Sequence, residues 1–506
     1  MKLSTATDFL WGSRAKLSYL LIAAFILLFT FLGGREIWTQ EHRWADIVSG
    51  MFYRHDFLHP YLGNANYYDK PLLSYWLIVI FAKINQELTA WSLRLPSAFA
   101  GLLAIWSIYR LGTKLSDKRL GLLSGWLLLT TFYFVFWART ASADMLNLAG
   151  SLFALAWYFE KREKSGFFDY AIFFLILALT SLCKGLVGAI VPLIAVFVDI
   201  VLQKSWKHHL RFSVFLAVIP ALIVYCIPFF ASTYFSDELY GQNGLYLVYR
   251  ENILRYFKPF DHQGPIYTYL VYLPIYLLPS VILFIPALAS IKSRWKQMTL
   301  NSKWIVFSLL ALFAFFTLSG SRRSYYVLPI VPFAILLTAD WILSGGFSKA
   351  KKQAFTAGLI IFSYIVLFIG VDLIPEWYYS RFGVERFAES LKVDVGRIKP
   401  WKDWNVVSLD AESKLNFYLQ LAPTVIKYHI KGSERHDLQN ENQVLEAWPL
   451  LKEKPENTIF ITRKLYMPIL NDILKDYEVF EIKYLNIPFW KKQDVDIPVA
   501  YIPKQL

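Results

Sequence analysis

The stretch LSYLLIAAFILLFTFLGG, residues 17–34, decides the class of fold because it is apolar throughout and carries no charged residue. A run of this length is typical of a helix that crosses the hydrocarbon of a bilayer, which is about 30 Å thick. It is too long for the apolar part of a cleaved signal peptide, and no small-residue cleavage site follows it. The stretch therefore predicts a membrane-spanning helix.

The composition of the whole chain agrees with a membrane protein. The 506 residues are 56% hydrophobic and 18% charged, whereas a soluble domain carries about 25% charged residues. The net charge of +14 does not indicate nucleic acid, because Lys and Arg collect in the cytoplasmic loops of membrane proteins. The two cysteines lie in apolar runs, so neither a disulfide framework nor a metal-binding Cys motif is expected.

Ten further apolar runs are long enough to span a membrane, and a shorter one lies at 71–85. Lys and Arg cluster between these runs in six segments, all of which the positive-inside rule assigns to the cytoplasm. The spans are predicted at 93–109, 120–137, 145–160, 167–183, 185–203, 212–232, 266–291, 304–320, 325–344 and 354–375. The basic clusters are 2–16, 110–119, 161–164, 204–211, 292–303 and 349–352.

The chain must cross the membrane an even number of times between neighbouring clusters. Three apolar runs precede residue 110, so the shortest of them, 71–85, is predicted to lie in the outer interface instead of spanning. Eleven spans remain, with the N-terminus in the cytoplasm and everything after about residue 376 outside. In a bacterium this is the inner membrane, and the outer face is periplasmic.

The predicted fold class is an α-helical polytopic membrane protein of 11–13 spans with a small C-terminal α/β domain. Residues 1–376 form the predicted membrane domain, which includes a long outer loop over 35–92. Residues 377–506 have ordinary polarity and form the predicted soluble domain. Its strands are predicted at 404–409, 424–429, 458–462 and 479–484, and a helix at 412–421.

Basic side chains recur at the outer ends of the predicted spans, where the positive-inside rule leaves few. Two carboxylates, Glu41 and Asp144, stand at the same level, and such charges are costly unless they are paired or used. Convergence of these groups indicates an anionic ligand at the interface, such as a lipid-linked phosphate. Each cation alone is also typical of an interfacial anchor. They are Arg43, Lys70, Arg139, Arg255, Arg322 and Arg323.

Several motifs give the chain a family resemblance. They are EHRWADI at 41–47 with NANYYDKP at 64–71, RLPS at 94–97, ART at 138–140 with Asp144, and YVLP at 326–329. In this order, over roughly residues 17–345, the chain resembles the bacterial membrane glycosyltransferases related to the aminoarabinose lipid A transferase and the protein O-mannosyltransferases.

The resemblance implies a GT-C fold, a sugar donor linked to polyprenyl phosphate, and a periplasmic active site that needs no nucleotide sugar. Asp144 matches an acidic residue of the family's second outer loop. The family has an Asp-Glu pair in its first loop, with the Asp as the usual catalytic candidate, whereas this chain has Gln40 and Glu41. The residues that match positions around the donor phosphate are Arg43, Tyr67, Lys70, Arg255 and Tyr326.

The expected chemistry is a single displacement that inverts the sugar. Cations stabilise the charge on the departing phosphate, and we count Arg139 and Arg323 among them. A hydroxyl acceptor needs a carboxylate to take its proton, and Glu41 or Asp144 could supply it. An acceptor phosphate is already ionised and needs no base. No metal is required, because no His, Cys and Asp residues have ligand spacing on the outer face.

Three functions are compatible with this reading. The first is transfer from a polyprenyl-phosphate (undecaprenyl-phosphate) sugar to lipid A, lipopolysaccharide or another surface glycan. Only the family resemblance favours this acceptor over a protein. A protein acceptor with the same donor is the second. A lipid-linked sugar transporter or flippase is the third, but transporters place ionisable residues and broken helices near the midplane, often in two repeated halves.

Overall fold

The computed structural model describes residues 3–62, 65–235, 240–345, 349–409, 413–421, 427–428, 453, 457–482 and 497–504. Contacts divide the chain into two compact units. The first comprises residues 1–32, 56–60 and 66–372, and the second comprises residues 33–55, 61–65 and 373–506. This grouping follows contacts and not the position of a membrane, so the division into membrane and soluble domains stays a prediction.

Helices dominate the chain up to residue 396, because a helix satisfies its backbone hydrogen bonds within one apolar segment. A 3-10 helix covers Ser324–Ile330, and π-helices cover Tyr249–Leu254 and Phe368–Leu373. The α-helices are α1 (Leu3–Leu10), α2 (Leu17–Phe29), α3 (Thr39–Arg54), α4 (Leu73–Ile84), α5 (Ala90–Leu115), α6 (Lys118–Leu129), α7 (Phe132–Ala138), α8 (Ala143–Lys161), α9 (Phe167–Lys184), α10 (Val187–Gln203), α11 (Trp206–His209), α12 (Phe212–Leu216), α13 (Ile219–Tyr234), α14 (Tyr240–Val248), α15 (Arg255–Phe257), α16 (Thr268–Tyr276), α17 (Val281–Ala289), α18 (Ile291–Arg294), α19 (Leu300–Leu318), α20 (Val331–Leu343), α21 (Lys349–Leu367), α22 (Ile374–Phe382) and α23 (Val384–Gly396).

The helical, multi-pass membrane fold is confirmed, although the number of spans is not. Within the described residues, six stretches are long and apolar enough to cross a membrane, or seven if the pair α6 and α7 counts as one span. The predicted spans 17–34 and 185–203 correspond to the shorter helices α2 and α10, and the interfacial run 71–85 corresponds to α4. The topology of eleven spans therefore stays a prediction.

The predicted spans 120–137, 212–232 and 266–291 are each divided into two helices, and 212–232 becomes α12 and α13. The run 120–137 becomes α6 and α7, which are bent by 73°. At this bend the hydroxyls of Thr130 and Thr131 donate to the carbonyls of Trp126 and Leu127, both at 2.9 Å, and such back-bonding competes with a continuous helix. The run 266–291 becomes α16 and α17. Pro279 lies between them and lacks the N–H that a continuing helix would use.

Basic segments from distant parts of the chain meet at one end of the first unit, which we call the basic end. Lys118 Nζ donates to Ala15 O at 2.9 Å and ties the second basic cluster to the first. The other clusters are joined by Arg110 with Glu160, Arg162 with Asp199 and Asn301, Arg211 with Ser165 O, Arg294 with Asp340, and Lys352 with Trp341 O. The six basic clusters thus lie on one side of this unit, as predicted.

The second unit contains a five-stranded mixed sheet with the strand order β4-β3-β5-β7-β6. Strand β3 is parallel to β4 and β5, whereas β7 is antiparallel to β5 and β6. Phe460, Val499 and Tyr501 are fully buried in its core. The remaining elements are β1 (Tyr61–Leu62), β2 (Ala65–Asn66), β3 (Asn405–Leu409), α24 (Ser413–Leu419), β4 (Lys427–Tyr428), β5 (Thr458–Arg463), α25 (Met467–Ile473), β6 (Tyr477–Phe480) and β7 (Pro498–Pro503).

The small C-terminal sheet is confirmed, and its predicted elements coincide with β3, α24, β4, β5 and β6. Residues 412, 424–426, 429 and 483–484 of those predictions lie outside the described residues. Sequence reasoning missed β7, which pairs with two neighbours. Its first and last residues, Pro498 and Pro503, made the segment unlike a strand, because proline cannot donate to a ladder.

Candidate functional site

Asp144 and Lys184 form an ion pair at the end of the first unit opposite the basic end. Asp144 is the second residue of α8, and α8 reaches Glu160, at the basic end, about 25 Å away. Ser142 Oγ accepts a hydrogen bond from Asp144 N and donates to Asp144 Oδ2, both at 2.9 Å. Asp144 is the acidic residue in the first turn of α8, where acidic side chains are common. We call this end of the first unit the site end.

The position of Lys184 depends on the turn that follows it. Lys184 is the last residue of α9, and Gly185 has φ +125°, a conformation that other residues rarely adopt. Leu186 N donates to Asn252 Oδ1 at 2.8 Å, which fastens the turn to the π-helix Tyr249–Leu254. A Cβ on Gly185 would lie 2.6 Å from the same amide oxygen. Both backbone conformation and space therefore require glycine here.

Arg255 follows this π-helix directly and bonds two carboxylates. Its Nη1 donates to Glu251 Oε2 at 2.6 Å, and its Nη2 lies 2.7 Å from Asp261 Oδ1. Its Nε donates to Ser321 Oγ at 3.2 Å. The side chain is 11% exposed. Three partners on different segments thus fix a guanidinium at the site end.

Arg323 is bonded to uncharged groups. Its Nη1 donates to the hydroxyl of Tyr325 at 2.6 Å, and its Nη2 contacts Nε2 of His262. His262 Nε2 also lies 3.1 Å from Asp261 Oδ2. Lys184 Nζ stands over the rings of Tyr326 (5.1 Å) and Tyr325 (5.9 Å). These contacts join a site cluster that consists of Asp144, Lys184, Arg255, Asp261, His262, Arg323, Tyr325 and Tyr326.

Burial and neighbouring cations act together on His262. Burial lowers the pKa of its imidazole, and the charges of Arg323, Arg255 and Lys70 lower it further, while Asp261 raises it. Lys70 Nζ donates to Asp69 O at 3.0 Å. The electrostatic influence of Lys70 on His262 brings the first loop close to the site cluster. The cluster therefore combines positive charge with hydroxyl and imidazole groups, which suits recognition of a phosphate.

Sequence comparisons relate the chain to transferases that use lipid-linked sugars. The family of dolichyl-phosphate-mannose-protein mannosyltransferases matches residues 69–228. The undecaprenyl phosphate-alpha-4-amino-4-deoxy-L-arabinose arabinosyl transferase of Shewanella sediminis is 25% identical over 387 residues, which are 74% of this chain and 68% of that protein. The transferase of the same name from Pectobacterium atrosepticum is 27% identical over 343 residues, 64% of this chain and 59% of its own length.

Solved structures show the same fold. The crystal structure of ArnT from Cupriavidus metallidurans bound to undecaprenyl phosphate has a TM-score of 0.71 at 15% identity, and the match covers 96% of this chain and 97% of that one. The chain is related to the aminoarabinose transferases and has their GT-C fold. The Archaeoglobus fulgidus oligosaccharyltransferase in its apo form matches 90% of this chain and 71% of its own, with a TM-score of 0.53 at 14% identity. The predicted resemblance is confirmed.

The aminoarabinose-transferase relationship does not assign roles to single residues, and the structure separates the predicted ones into groups. Asp144, Arg255, Arg323 and Tyr326 belong to the site cluster, and Lys70 lies within electrostatic range of it. Tyr67, also in the first unit, is half-buried, and its backbone N–H donates to Pro60 O at 2.8 Å. The roles of all these residues in binding or catalysis stay predictions.

Arg139 has a different set of partners. Its guanidinium pairs with the buried carboxylate of Asp372 at 2.8 Å and donates to Leu27 O (3.0 Å) and Phe31 O (3.1 Å). Only 6% of the side chain is exposed. Such a buried pair holds segments together, because removal of one partner leaves a charge without compensation. The structure thus gives Arg139 a structural environment.

Glu41 and Arg43 lie on α3 in the second unit. Glu41 is fully buried, and its Oε2 accepts hydrogen bonds from Trp38 N at 2.7 Å and from Arg35 Nη2 at 3.2 Å. This is the geometry of a helix cap, in which a carboxylate in the first turn bonds the residue before the helix. Arg43 is half-buried. Their roles in catalysis and phosphate binding stay predictions.

Arg322 and Arg323 are adjacent in the chain but bond different groups. Arg322 Nη1 donates to Gly264 O at 2.5 Å, and its Nε and Nη2 donate to Thr317 O. Its backbone N–H donates to His262 O at 2.8 Å. Arg322 therefore clamps the loop before α16 to the loop after α19, and this leaves Arg323 to join the site cluster.

The sequence analysis assigned no role to Lys184, Asp261 or His262. Asp261 and His262 follow α15 by a few residues, and an adjacent acid and imidazole at the outer end of a segment is a signal that could have identified them. Among the described residues, no group of three or more His, Cys, Asp or Glu side chains could hold a metal ion.

Proposed function

We propose that the chain transfers a sugar from a polyprenyl-phosphate donor, in the undecaprenyl class, to lipid A, lipopolysaccharide or another surface glycan. The observation that carries this proposal is the site cluster, in which Arg255, Arg323 and Lys184 gather with phenols around one end of the first unit. The relatives are named for transfer from undecaprenyl phosphate-linked aminoarabinose, and ArnT binds undecaprenyl phosphate in its crystal structure.

Arg255, Arg323 and Lys70 would hold the donor phosphate, and Tyr326 would donate a hydrogen bond to it. When the anomeric carbon–oxygen bond breaks, negative charge grows on the departing phosphate. Fixed cations are most effective where charge develops, because they need no reorganisation during the reaction. Arg43 and Tyr67 stay in the proposed phosphate-binding set on the strength of their motif. We leave Arg139 out of this set because its partners, Asp372 and two carbonyl oxygens, lie outside the site cluster.

Asp144 is our first candidate for the general base and Glu41 the second. Asp144 belongs to the site cluster, where it pairs with Lys184. A proton acceptor must also come within hydrogen-bond reach of the acceptor hydroxyl. If the acceptor is a phosphate instead, neither carboxylate needs to act as a base. In both cases the displacement inverts the sugar, and we propose no metal or other cofactor.

The grouping of charges supports the proposed orientation in a bacterial inner membrane. All six basic clusters lie at the basic end, and the positive-inside rule assigns that end to the cytoplasm. The site end would then face the periplasm, with the N-terminus in the cytoplasm and the C-terminal domain in the periplasm. Accessible cysteines introduced at Lys114 and Ser433 test this topology, since labelling of both from the same side would contradict it.

The function is tested by mass spectrometry of glycolipids and surface glycans from cells of the native organism. Wild type is compared at equal protein level with the variants Asp144→Asn and Glu41→Gln. The matched control is Glu160→Gln, a carboxylate at the other end of α8. We expect Asp144→Asn to abolish one sugar modification and to cause its polyprenyl-phosphate donor to accumulate, while the control keeps the wild-type profile.

The other outcomes separate the alternatives. A change in glycoproteins with unaltered glycolipids would favour a protein acceptor. Accumulation of the donor on one face of the membrane in vesicles, without loss of transfer by lysed cells, would favour a flippase. A wild-type profile in both carboxylate variants and in a strain that lacks the chain would contradict glycosyl transfer.

A further inference from the structure

His262 stands between a cation and a carboxylate of the site cluster. Its Nε2 contacts Nη2 of Arg323 and also lies 3.1 Å from Oδ2 of Asp261. Asp261 in turn lies 2.7 Å from Nη2 of Arg255. Nε2 of His262 thus contacts Arg323 directly and is linked to Arg255 through Asp261. The imidazole is about one third exposed, at 32%, and protons can therefore reach it from solvent.

A single ring nitrogen cannot bond both neighbours in one protonation state. Nε2 accepts from the guanidinium of Arg323 only when it carries no proton, and it donates to Asp261 only when it carries one. A protonated ring would also repel Arg323, because both are then cations. The presence or absence of a proton on Nε2 thus selects the partner of His262, and a fully protonated ring cannot accept from Arg323 at this nitrogen.

Charged groups from four segments surround the ring. Asp261 precedes it in the chain, Arg323 comes from the loop before the 3-10 helix, Arg255 comes from α15, and Lys70 comes from the first loop. Burial lowers the pKa of His262, the three cations lower it further, and only Asp261 raises it. These neighbours favour the neutral ring and its bond with Arg323 at neutral pH.

The proposed reaction increases the negative charge at the phosphate. The donor is a phosphodiester with one negative charge. Transfer breaks the bond between the anomeric carbon and the phosphate oxygen, leaves the electron pair on that oxygen, and forms the bond to the acceptor. The product is a phosphate monoester, which carries close to two negative charges near neutral pH because its second pKa is about 6. A group that gains a proton beside this product would offset the added charge.

We propose that His262 is a positioning residue that binds a proton from solvent when the dianionic polyprenyl phosphate occupies the site. The protonated ring donates to Asp261, and Nη2 of Arg323, no longer bonded to the ring, gives the phosphate one further hydrogen bond. His262 thereby distinguishes the monoester product from the diester donor. The inference rests on the proposed function, since it assumes that the site cluster binds a polyprenyl phosphate.

The test measures binding of undecaprenyl phosphate to the full-length chain in lipid nanodiscs at pH 7, 8 and 9. Wild type is compared with His262→Gln, and His208→Gln serves as the control because His208 lies near the basic end, where it bonds Ser165. Above pH 7 the phosphate is mostly dianionic in all samples, so its own titration affects them alike. Coupling to one proton changes the affinity by at most about tenfold per pH unit.

We expect wild type to bind at least about five times more tightly than His262→Gln at pH 7, and the two affinities to converge by pH 9. His208→Gln should follow wild type throughout. A diester probe, the methyl ester of the same polyprenyl phosphate, should show no such convergence because it cannot become a dianion. If His262→Gln fails to fold, Asp261→Asn replaces it, since the protonated ring then loses its negatively charged partner and the same convergence is expected.

The inference is overturned if the ratio of the wild-type affinity to the variant affinity is the same at pH 7 and pH 9, even if the variant binds weakly. A purely structural role of His262 would not depend on pH. In that case undecaprenyl phosphate still binds to wild type, and the proposed function stands. Absence of undecaprenyl phosphate binding to wild type at every pH overturns the proposed function and this inference together.

Discussion

The two ends of the first unit contain the same types of charged residue in different arrangements. At the basic end three arginines pair with carboxylates, namely Arg110 with Glu160, Arg162 with Asp199 and Arg294 with Asp340. At the site end Arg323 bonds a phenol and an imidazole, and Lys184 stands over two aromatic rings in addition to its pair with Asp144.

This difference separates a structural use of charge from a functional one. One-to-one pairs fix the ends of neighbouring helices and leave little net field. Cations whose partners are hydroxyl, imidazole and aromatic groups keep a positive potential, which attracts an anionic ligand. The number of charged residues is therefore a poor guide to a site, and the chemistry of their partners is a better one.

The largest expected effect comes from removing an arginine at each end. Arg323→Ala should reduce transfer by about 100-fold or more, because a donor to the developing phosphate charge is lost. Arg110→Ala should change it less than about twofold, since a partly exposed ion pair contributes only about 0–1 kcal/mol to stability. The rates are compared as glycolipid product per amount of folded protein. Equal losses in the two variants would contradict the distinction between the two ends.

The next effect concerns stability at the basic end. Asp199 is 1% exposed and bonds Arg162 at 2.7 Å and the hydroxyl of Tyr158 at 2.9 Å. Asp199→Asn leaves the charge of Arg162 without its partner, so we expect a loss of about 3 kcal/mol in the free energy of unfolding. Transfer per folded molecule should stay at the wild-type level.

Unfolding in detergent measures this loss, with Glu160→Gln as the control. The carboxylate of Glu160 is 33% exposed, and its removal should cost less than about 1 kcal/mol. If Asp199→Asn reduced the transfer rate per folded molecule, the basic end would have a functional role that its ion pairs do not indicate.

The fold could be predicted further than the site. Apolar runs and basic clusters are local properties of the sequence, and they identified the helices and the common location of the six basic segments. They could not identify the bend at Thr130 and Thr131, because side-chain bonds to the backbone and not hydropathy interrupt the helix there. Strand β7 was missed for a similar reason, since its terminal prolines concealed an apolar segment.

The site depends on which distant side chains meet, and linear sequence does not contain that information. Arg139 and Arg323 look alike in the sequence because both follow an apolar run. Arg139 meets the buried carboxylate of Asp372, whereas Arg323 meets His262 and Tyr325. Asp372 was hidden inside a predicted span, and His262 in a loop with no motif, so neither partner could be assigned in advance.

A smaller effect is expected from the turn that carries Lys184. Gly185→Ala places a methyl group 2.6 Å from Asn252 Oδ1 and imposes a strained φ of about +125°. The turn must shift, so Lys184 moves relative to Asp144 and Tyr326. Strain of this kind costs about 1–3 kcal/mol, and we expect transfer to fall by roughly tenfold, with the donor still bound.

The control for this variant is Gly345→Ala, because a Cβ at Gly345 would meet nothing within 4 Å. It should change neither transfer nor stability measurably. Wild-type transfer by Gly185→Ala would show that the position of Lys184 does not matter for the reaction. Lys184 would then have no functional role at the site end.

The smallest effect distinguishes the histidines of the two ends. At the basic end His209 bonds the hydroxyls of Tyr158 and Tyr170, and burial, with the nearby His208, Arg211 and Arg162, lowers its pKa to about 4. The unfolded chain, with a histidine pKa of about 6.5, then binds more protons than the folded chain. Stability is therefore full above pH 6.5 and is lost as the pH falls from 6.5 toward 4.

Between pH 8 and pH 6 this linkage should lower the free energy of unfolding by about 1 kcal/mol. His209→Gln should remove that part of the pH dependence, which unfolding in detergent at both pH values measures. His262, at the site end, should instead change ligand affinity with pH while contributing less to unfolding, because its ring is partly exposed and faces the cations of the site cluster. An identical pH dependence of unfolding in wild type and His209→Gln would show that the buried imidazole at the basic end does not resist protonation, and the contrast between the two histidines would then disappear.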